Sequence, residues 1–257
     1  MQRRTRKDLK PMDNTLLVSL SHQLAAYRAM DVIANNVANV STPAFKREEM
    51  KFEEYISNMR PAEGEVGARP VSFVVDRGIV RDLGEGRIEQ TGAPFDFAIK
   101  GKGYFVVQTP AGERYTRDGH FTLNPDGNLT TLDGNPVLGD GGPVTIAPED
   151  GDITVGSDGT ITGKQGQLGK LRLADFADER ALRKEGANLY ASDQPAMTAE
   201  NASIEQGVIE ASNVNPVAEI TQMIEVSRAY QMSTTLTQSH QSMLQQAIQK
   251  LGAMPAN

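Results

Sequence analysis

Residues 14–40, NTLLVSLSHQLAAYRAMDVIANNVANV, decide the fold. Leu17, Leu20, Leu24, Tyr27, Met30, Ile33, Val37 and Val40 recur at gaps of three and four, the spacing of one face of an α-helix. Asp13 or Asn14 can cap the first turn, and Thr42-Pro43 stops the helix, because a residue before proline is biased away from the α region. At 1.5 Å per residue the segment is roughly 40 Å long. A second such segment lies at the far end. Asn215 is a good N-cap, Pro216 sits where its missing N–H costs nothing, and Gly252 and Pro255 mark the stop. Its seam runs Ile220, Met223, Ser227, Tyr230, Thr234, Thr237, Gln241, Leu244, Ile248 and Leu251, apolar at both ends and polar in the middle. An isolated coiled coil prefers an apolar seam throughout, so this helix reads as stable only when several of its faces are contacted.

Between the helices the period changes to two. Val71, Phe73 and Val75 alternate with polar neighbours, as do Phe95, Phe97 and Ile99, and GYFVVQT at 103–109 is rich in strand formers. Asp118-Gly119, Asp126-Gly127, Asp133-Gly134, Asp140-Gly141 and Asp158-Gly159 read as hairpin turns, type I′ being the form this dipeptide favours. A short helix or loop is expected over Asp175–Lys184, and strands again near 188–190 and 203–209. Phe45–Arg60 is compatible with a short helix or an extended arm, and PAEGEVGARP at 61–70 is a linker composition. The expected class is α+β: long N- and C-terminal helices paired as a coiled-coil-like core, with a central, mostly antiparallel β domain. The expected segments are a basic tail at 1–11, a helix at 12–42, an extended linker at 43–70, the β domain at 71–210 and a helix at 211–257.

Composition narrows the function. At 257 residues with 39% apolar and 5% aromatic content and no tryptophan, the chain is thin for one globule and fits an elongated subunit that completes its core with neighbours. A net charge of −7 gives no general nucleic-acid footprint. With no cysteine, disulfides and thiolate metal sites are excluded. No apolar run reaches the roughly 18 residues of a membrane span. MQRRTRKDLK is followed by an amphipathic helix rather than a signal-peptide core, so export would use another route. The basic stretch 1–11 reads as a disordered tail or a start-site artefact ahead of Met12, the alternative being an arm for nucleic acid or membrane.

Catalytic patterns are weak. His22, His120 and His240 are scattered; Gly101-Lys102-Gly103-Tyr104 is not a phosphate loop; Leu129 stands where a calcium loop at 124–128 would need glycine. No nucleophile elbow is present. The expectation is no enzyme, no metal and no cofactor. The three asparagines in Ala34–Val40 weaken a helix, and read either as a frayed end or as a polar patch bonding a neighbouring subunit.

Three stretches carry a resemblance. MDVIANNVANVSTPAFK at 30–46 resembles the N-terminal signature of bacterial flagellar axial proteins, the rod, hook and hook-associated subunits. YTRDGHF at 115–121 through DGNL at 126–129 is similar to the β-domain hallmark of that family, and GVIEASNVNPVAEITQMIEVSRAY at 207–230 to its C-terminal helix signature. The chain departs from the pattern at Pro43-Ala44, where the family usually places a residue followed by glycine. The Met12-Asp13-Asn14 opening, Asn215-Pro216 and the closing Ala247–Gly252 are most similar to the proximal rod members, with distal rod or short hook members as the rival. The resemblance implies a structural subunit of the periplasmic rod of the flagellar basal body that carries motor torque. Its implied partners are copies of itself, other rod subunits and the flagellar type III export apparatus, without nucleic acid and without spanning the membrane. The expected assembly interface comprises Leu17, Leu20, Leu24, Tyr27, Met30, Ile33, Asn35, Asn36, Val37, Asn39, Ile220, Met223, Tyr230, Leu244, Ile248 and Leu251. Lacking partners, both termini are expected to be largely disordered in the free monomer. A reading from another class is a secreted β module binding carbohydrate or calcium; it is disfavoured because the aromatics at 71–200 fall on alternating strand positions, as core residues do.

Overall fold

A computed structural model describes residues 12–58, 70–150, 152–199 and 201–252. The expected basic tail at 1–11 and residues 59–69 of the expected linker lie outside these residues. The protein is α+β, with two long helices at the termini and antiparallel strands between them. The chain forms two compact units.

The first unit holds helix α1 (Met12–Ala38) up to Val37, the segment Glu48–Val80, and helix α2 (Pro216–Gly252). Proline opens α2, as its fixed φ and missing donor allow. α1 ends at Ala38 and residues 39–44 form turns, so the helix stops short of Thr42-Pro43. The Phe45–Arg60 stretch resolves as an extended arm: Glu48–Asn58 is a strand paired with Pro70–Arg81. This hairpin groups with the helices rather than with the β domain.

The second unit, Ala38–Arg47 with Arg81–Asn215, carries the other strands. Its largest sheet has six antiparallel strands, ordered Arg183–Lys184, Tyr190–Ala191, Gly112–Thr116, Tyr104–Thr109, Leu173–Asp175 and Met197–Thr198. The strand Tyr104–Thr109 explains the apolar run seen in the sequence. Strand geometry sends alternate side chains to opposite faces, and here both faces are covered. Phe105 and Val107 enter one core with Phe97, Phe121, Leu129 and Ile161. Tyr104 and Val106 enter another with Tyr115, Phe176, Leu182 and Tyr190, where the aromatic rings meet edge to face. Of the aromatics expected to be core residues, Phe97, Phe105, Phe121, Tyr104, Tyr115, Phe176 and Tyr190 are buried in these two cores and Phe95 packs against the first; the side chain of Phe73 is not among those described. A 3₁₀ turn, Glu179–Ala181, occupies the expected short-helix position.

The Asp-Gly turns depart from type I′. Gly127, Gly134 and Gly159 have φ of 81°, 83° and 84°, but the aspartate before each has no positive φ. Asn124 Oδ1 accepts from the amides of Asp126 and Asn128, so a side chain closes that turn instead of a left-handed residue. Asp118-Gly119 makes no turn at all. A β-carbon on Gly119 would stand 1.8 Å from the Phe97 carbonyl oxygen, and glycine is there because two backbones touch.

Candidate assembly interface

α1 and α2 run antiparallel. Ser19 lies against Ser233 and Thr237, while Asn36, 17 positions later, reaches back to Glu219. The contact is small and polar at one end: Ser19 Oγ is 2.7 Å from Thr237 Oγ1 and 3.1 Å from Ser233 Oγ, and Gln23 Nε2 donates to Thr237 Oγ1. Serine, threonine and alanine let two backbones approach closely but bury little apolar area. At the other end Asn36 is fully buried. Its Nδ2 donates to the Glu48 carbonyl (2.8 Å) and to Glu219 Oε2 (3.0 Å), and its Oδ1 accepts the Glu48 amide (2.9 Å). Ile33, Val32 and Ala29 are buried alongside.

This arrangement divides the residues expected at an interface. Leu20, Leu24 and Tyr27, at i, i+4 and i+7, form an exposed stripe, each more than half accessible. Ile220 on α2 is 49% accessible, and Val217, Ile224, Met232, Leu236 and Met243 are also exposed. An open groove between the helices is floored by Ala25, Ala26, Ala29 and Ala229 and edged by Met232 and Leu236. Met30, Val37, Met223, Tyr230 and Leu244 are half-buried. Asn35 is exposed at the surface of α1, while Asn39 is half-buried and its Oδ1 accepts from Thr42 Oγ1. Ile33 is 3% accessible and packs within its own chain, and Asn36 spends its amide on Glu48 and Glu219. The Asn-rich stretch is, at Asn36, an internal bolt rather than a frayed end. Leu17, Ile248 and Leu251 fall outside the residues whose side chains are described.

The second unit contains a charged node that sequence reasoning missed. Glu210 is 2% accessible, and its carboxylate joins three distant segments. Oε1 accepts Lys46 Nζ at 2.6 Å and the Gly86 amide at 2.9 Å; Oε2 accepts Arg117 Nε at 3.1 Å. Arg117 also donates to the carbonyls of Gly101 (2.7 Å), Gly103 (2.9 Å) and Ile99 (3.2 Å). The Gly101-Lys102-Gly103 loop therefore wraps a guanidinium rather than a phosphate. Burial pushes the Glu210 carboxyl up, but Arg117 and Lys46 outweigh it, and the group is held below the ordinary carboxylate range. Each member lies in one of the three signature stretches. No spacing rule could pair charges 164 and 93 positions apart.

The same node fixes the Pro43-Ala44 turn. The Ala44 amide donates to the Glu210 carbonyl at 2.7 Å, and Asn188 Nδ2 donates to the Pro43 carbonyl and to Asp118 Oδ2. Ala44 has φ 55° and is 3% accessible, a left-handed position that costs an L-residue about 1–2 kcal/mol. That cost explains why glycine suits this position and why the departure here is tolerated only inside a tightly bolted turn. Burial raises the Asp118 carboxyl above its usual range. Burial, and then the Glu179 carboxylate that accepts its hydroxyl, push Tyr104 far above the ordinary phenol range.

Among the described residues there is no cluster of three or more His, Asp or Glu side chains placed to hold a metal, and no helix is long and apolar enough to cross a membrane.

Comparison with known proteins follows the same three stretches. Residues 16–46 match the family model "Flagella basal body rod protein", residues 98–163 the "Flagellar hook protein FlgE/F/G D1 domain", and residues 205–250 the "Flagellar basal body rod FlgEFG protein C-terminal". The chain is 41% identical to the flagellar basal-body rod protein FlgF of Caulobacter vibrioides, over 94% of this chain and 99% of the relative. It is 36% identical to FlgF of Mesorhizobium japonicum over the same shares. It is 34% identical to the rod protein FlgG of Agrobacterium fabrum, over 80% of this chain and 87% of that one.

Proposed function

Since this chain belongs to the flagellar basal-body rod family and is most like FlgF within it, we propose that it is a structural axial subunit of the proximal rod, polymerising helically through its terminal helices. It is a component of the flagellar basal body, and its family is one of structural rod proteins rather than enzymes.

The observation that carries the proposal is the concentration of exposed large apolar side chains on α1 and α2. Leu20, Leu24, Tyr27, Val217, Ile220, Ile224, Met232, Leu236 and Met243 are all 48–74% accessible. Fully burying such a side chain contributes about 1.5–3 kcal/mol, so covering the exposed half of each yields about 1 kcal/mol. Nine of them supply about 9 kcal/mol, against an association cost of about 4–15 kcal/mol. One neighbour covering one face supplies only a fraction of this sum, and the sum reaches the range of the cost only when several neighbours cover all of these faces. Heterologous contacts that repeat without closing generate a helical tube, and this requirement for many neighbours suits a tube wall.

In this role the antiparallel helix pair is a coiled-coil-like element of the inner wall. The β unit, stiffened by two filled cores and the Glu210 node, resists twist. The terminal helices gain most of their order on assembly, because the small polar contact around Ser19 gives them little internal stabilisation. The partners are copies of this chain, other rod subunits and the export apparatus. Deleting residues 216–257 tests the proposal: export without incorporation into basal bodies is expected, and normal assembly would contradict it.

A further inference from the structure

The second unit is assembled from both ends of the chain. Ser203–Gln206 pairs with Phe97–Lys100, with Ile204 opposite Ile99, and Val208–Glu210 pairs with Ile88–Gln90. Lys46 enters from the other end and Arg117 from the middle. Both cations are about as buried as the core, with side chains 5% and 6% accessible, and Glu210 is the carboxylate that they share. The other bonds of Arg117 go to neutral carbonyls, and Lys46 Nζ also donates to the carbonyl of Gly84.

We propose that Glu210 is a closing latch: the β unit stays open until the strand Val208–Glu210 arrives and its carboxylate enters between Lys46 and Arg117. Two cations cannot be taken out of water side by side without a counter-charge, so the core that contains them cannot close on residues 38–202 alone. The entropy of joining ends grows only slowly with loop length, so closing late across a long loop is a small extra cost. A chain that emerges from its N-terminus therefore carries Lys46 and Arg117 uncompensated, and remains extended, until residue 210 is free. The Gly86 amide on Oε1 and the Ala44 amide on the Glu210 carbonyl then lock the flanking segments in the same event. This device is independent of the role in the rod.

Refolding of the full chain from urea, followed by tyrosine fluorescence, tests it. Tyr104, Tyr115 and Tyr190 sit in the second core and report on this unit. In Glu210→Gln the latch charge is gone, and refolding is expected to slow by about ten-fold or more, with a smaller change in unfolding rate. Adding Lys46→Met to Glu210→Gln removes one of the two uncompensated charges, and should recover part of the loss, so that the double variant refolds about three-fold or more faster than Glu210→Gln alone. If Glu210→Gln does not fold, recovery of folding in the double variant supports the latch, and its failure overturns it. Wild-type refolding of Glu210→Gln, or a double variant slower than the single one, would also overturn it.

Discussion

Replacing Arg117 with lysine keeps the charge beside Glu210 and removes the planar fork. Arg117 makes four bonds in different directions: to Glu210 Oε2 at 3.1 Å, and to the carbonyls of Gly101 at 2.7 Å, Gly103 at 2.9 Å and Ile99 at 3.2 Å. A lysine ammonium carries its donors on one atom at the end of a flexible stem. It can hold the carboxylate and one carbonyl, which leaves two buried carbonyls without a donor. Each bond from a charged donor contributes about 1.5–3 kcal/mol, so Arg117→Lys should destabilise the β unit by about 4 kcal/mol. With a urea m-value of about 2 kcal/mol/M, the midpoint should fall by about 2 M. The assay is a urea titration followed by tyrosine fluorescence. Arg183→Lys is the control: Arg183 bonds Asp193 at 3.0 Å with both side chains more than 60% accessible, and its replacement should move stability by less than about 1 kcal/mol. A midpoint shift below about 0.5 M for Arg117→Lys would refute the reasoning, because it would mean that charge, not the geometry of the fork, holds the loop.

Leu24 is 55% accessible, so Leu24→Asp should leave the purified chain within about 0.5 kcal/mol of wild type while abolishing incorporation into basal bodies, read by sedimentation and motility. Gly119→Ala places a β-carbon 1.8 Å from the Phe97 oxygen, and should cost about 3 kcal/mol in a denaturation titration as the strands are forced apart. The Glu210 carboxyl is held below its ordinary value of 4.5, so the folded state binds its proton less readily than the unfolded chain does. That contribution is complete above 4.5 and is lost as pH falls below it; a pH series of urea midpoints should show a shallower acid loss in Glu210→Gln than in wild type.

The two helices were legible because their apolar spacing is local and long. α2 opens at Pro216, where the cap chemistry places it. The buried strand Tyr104–Thr109 was legible from its β-rich run, although the sequence could not say that its two faces serve different cores. What periodicity could not reveal was which side of α1 meets α2. The threes-and-fours pattern in α1 merges an exposed stripe, Leu20–Leu24–Tyr27, with the buried Ile33, and the actual helix contact begins at a serine. The hydroxyl bonds at Ser19 are worth little each and leave no periodic trace. The turn chemistry was half right: the glycines adopt the left-handed conformation, but side-chain acceptors such as Asn124 do the work assigned to a second left-handed residue. The Lys46–Glu210–Arg117 node lay inside the stretches that carry the family resemblance, yet its partners are far apart in sequence, and only the fold brings them together.

The terminal helices as assembly surfaces can be tested by chemical protection, since the chain has no cysteine. Leu24→Cys and Leu236→Cys place single thiols on the exposed stripe of α1 and on the edge of the α2 groove. Both should react with a maleimide in the free protein and be shielded in purified basal bodies. Equal labelling in the two states would contradict assembly through these helices.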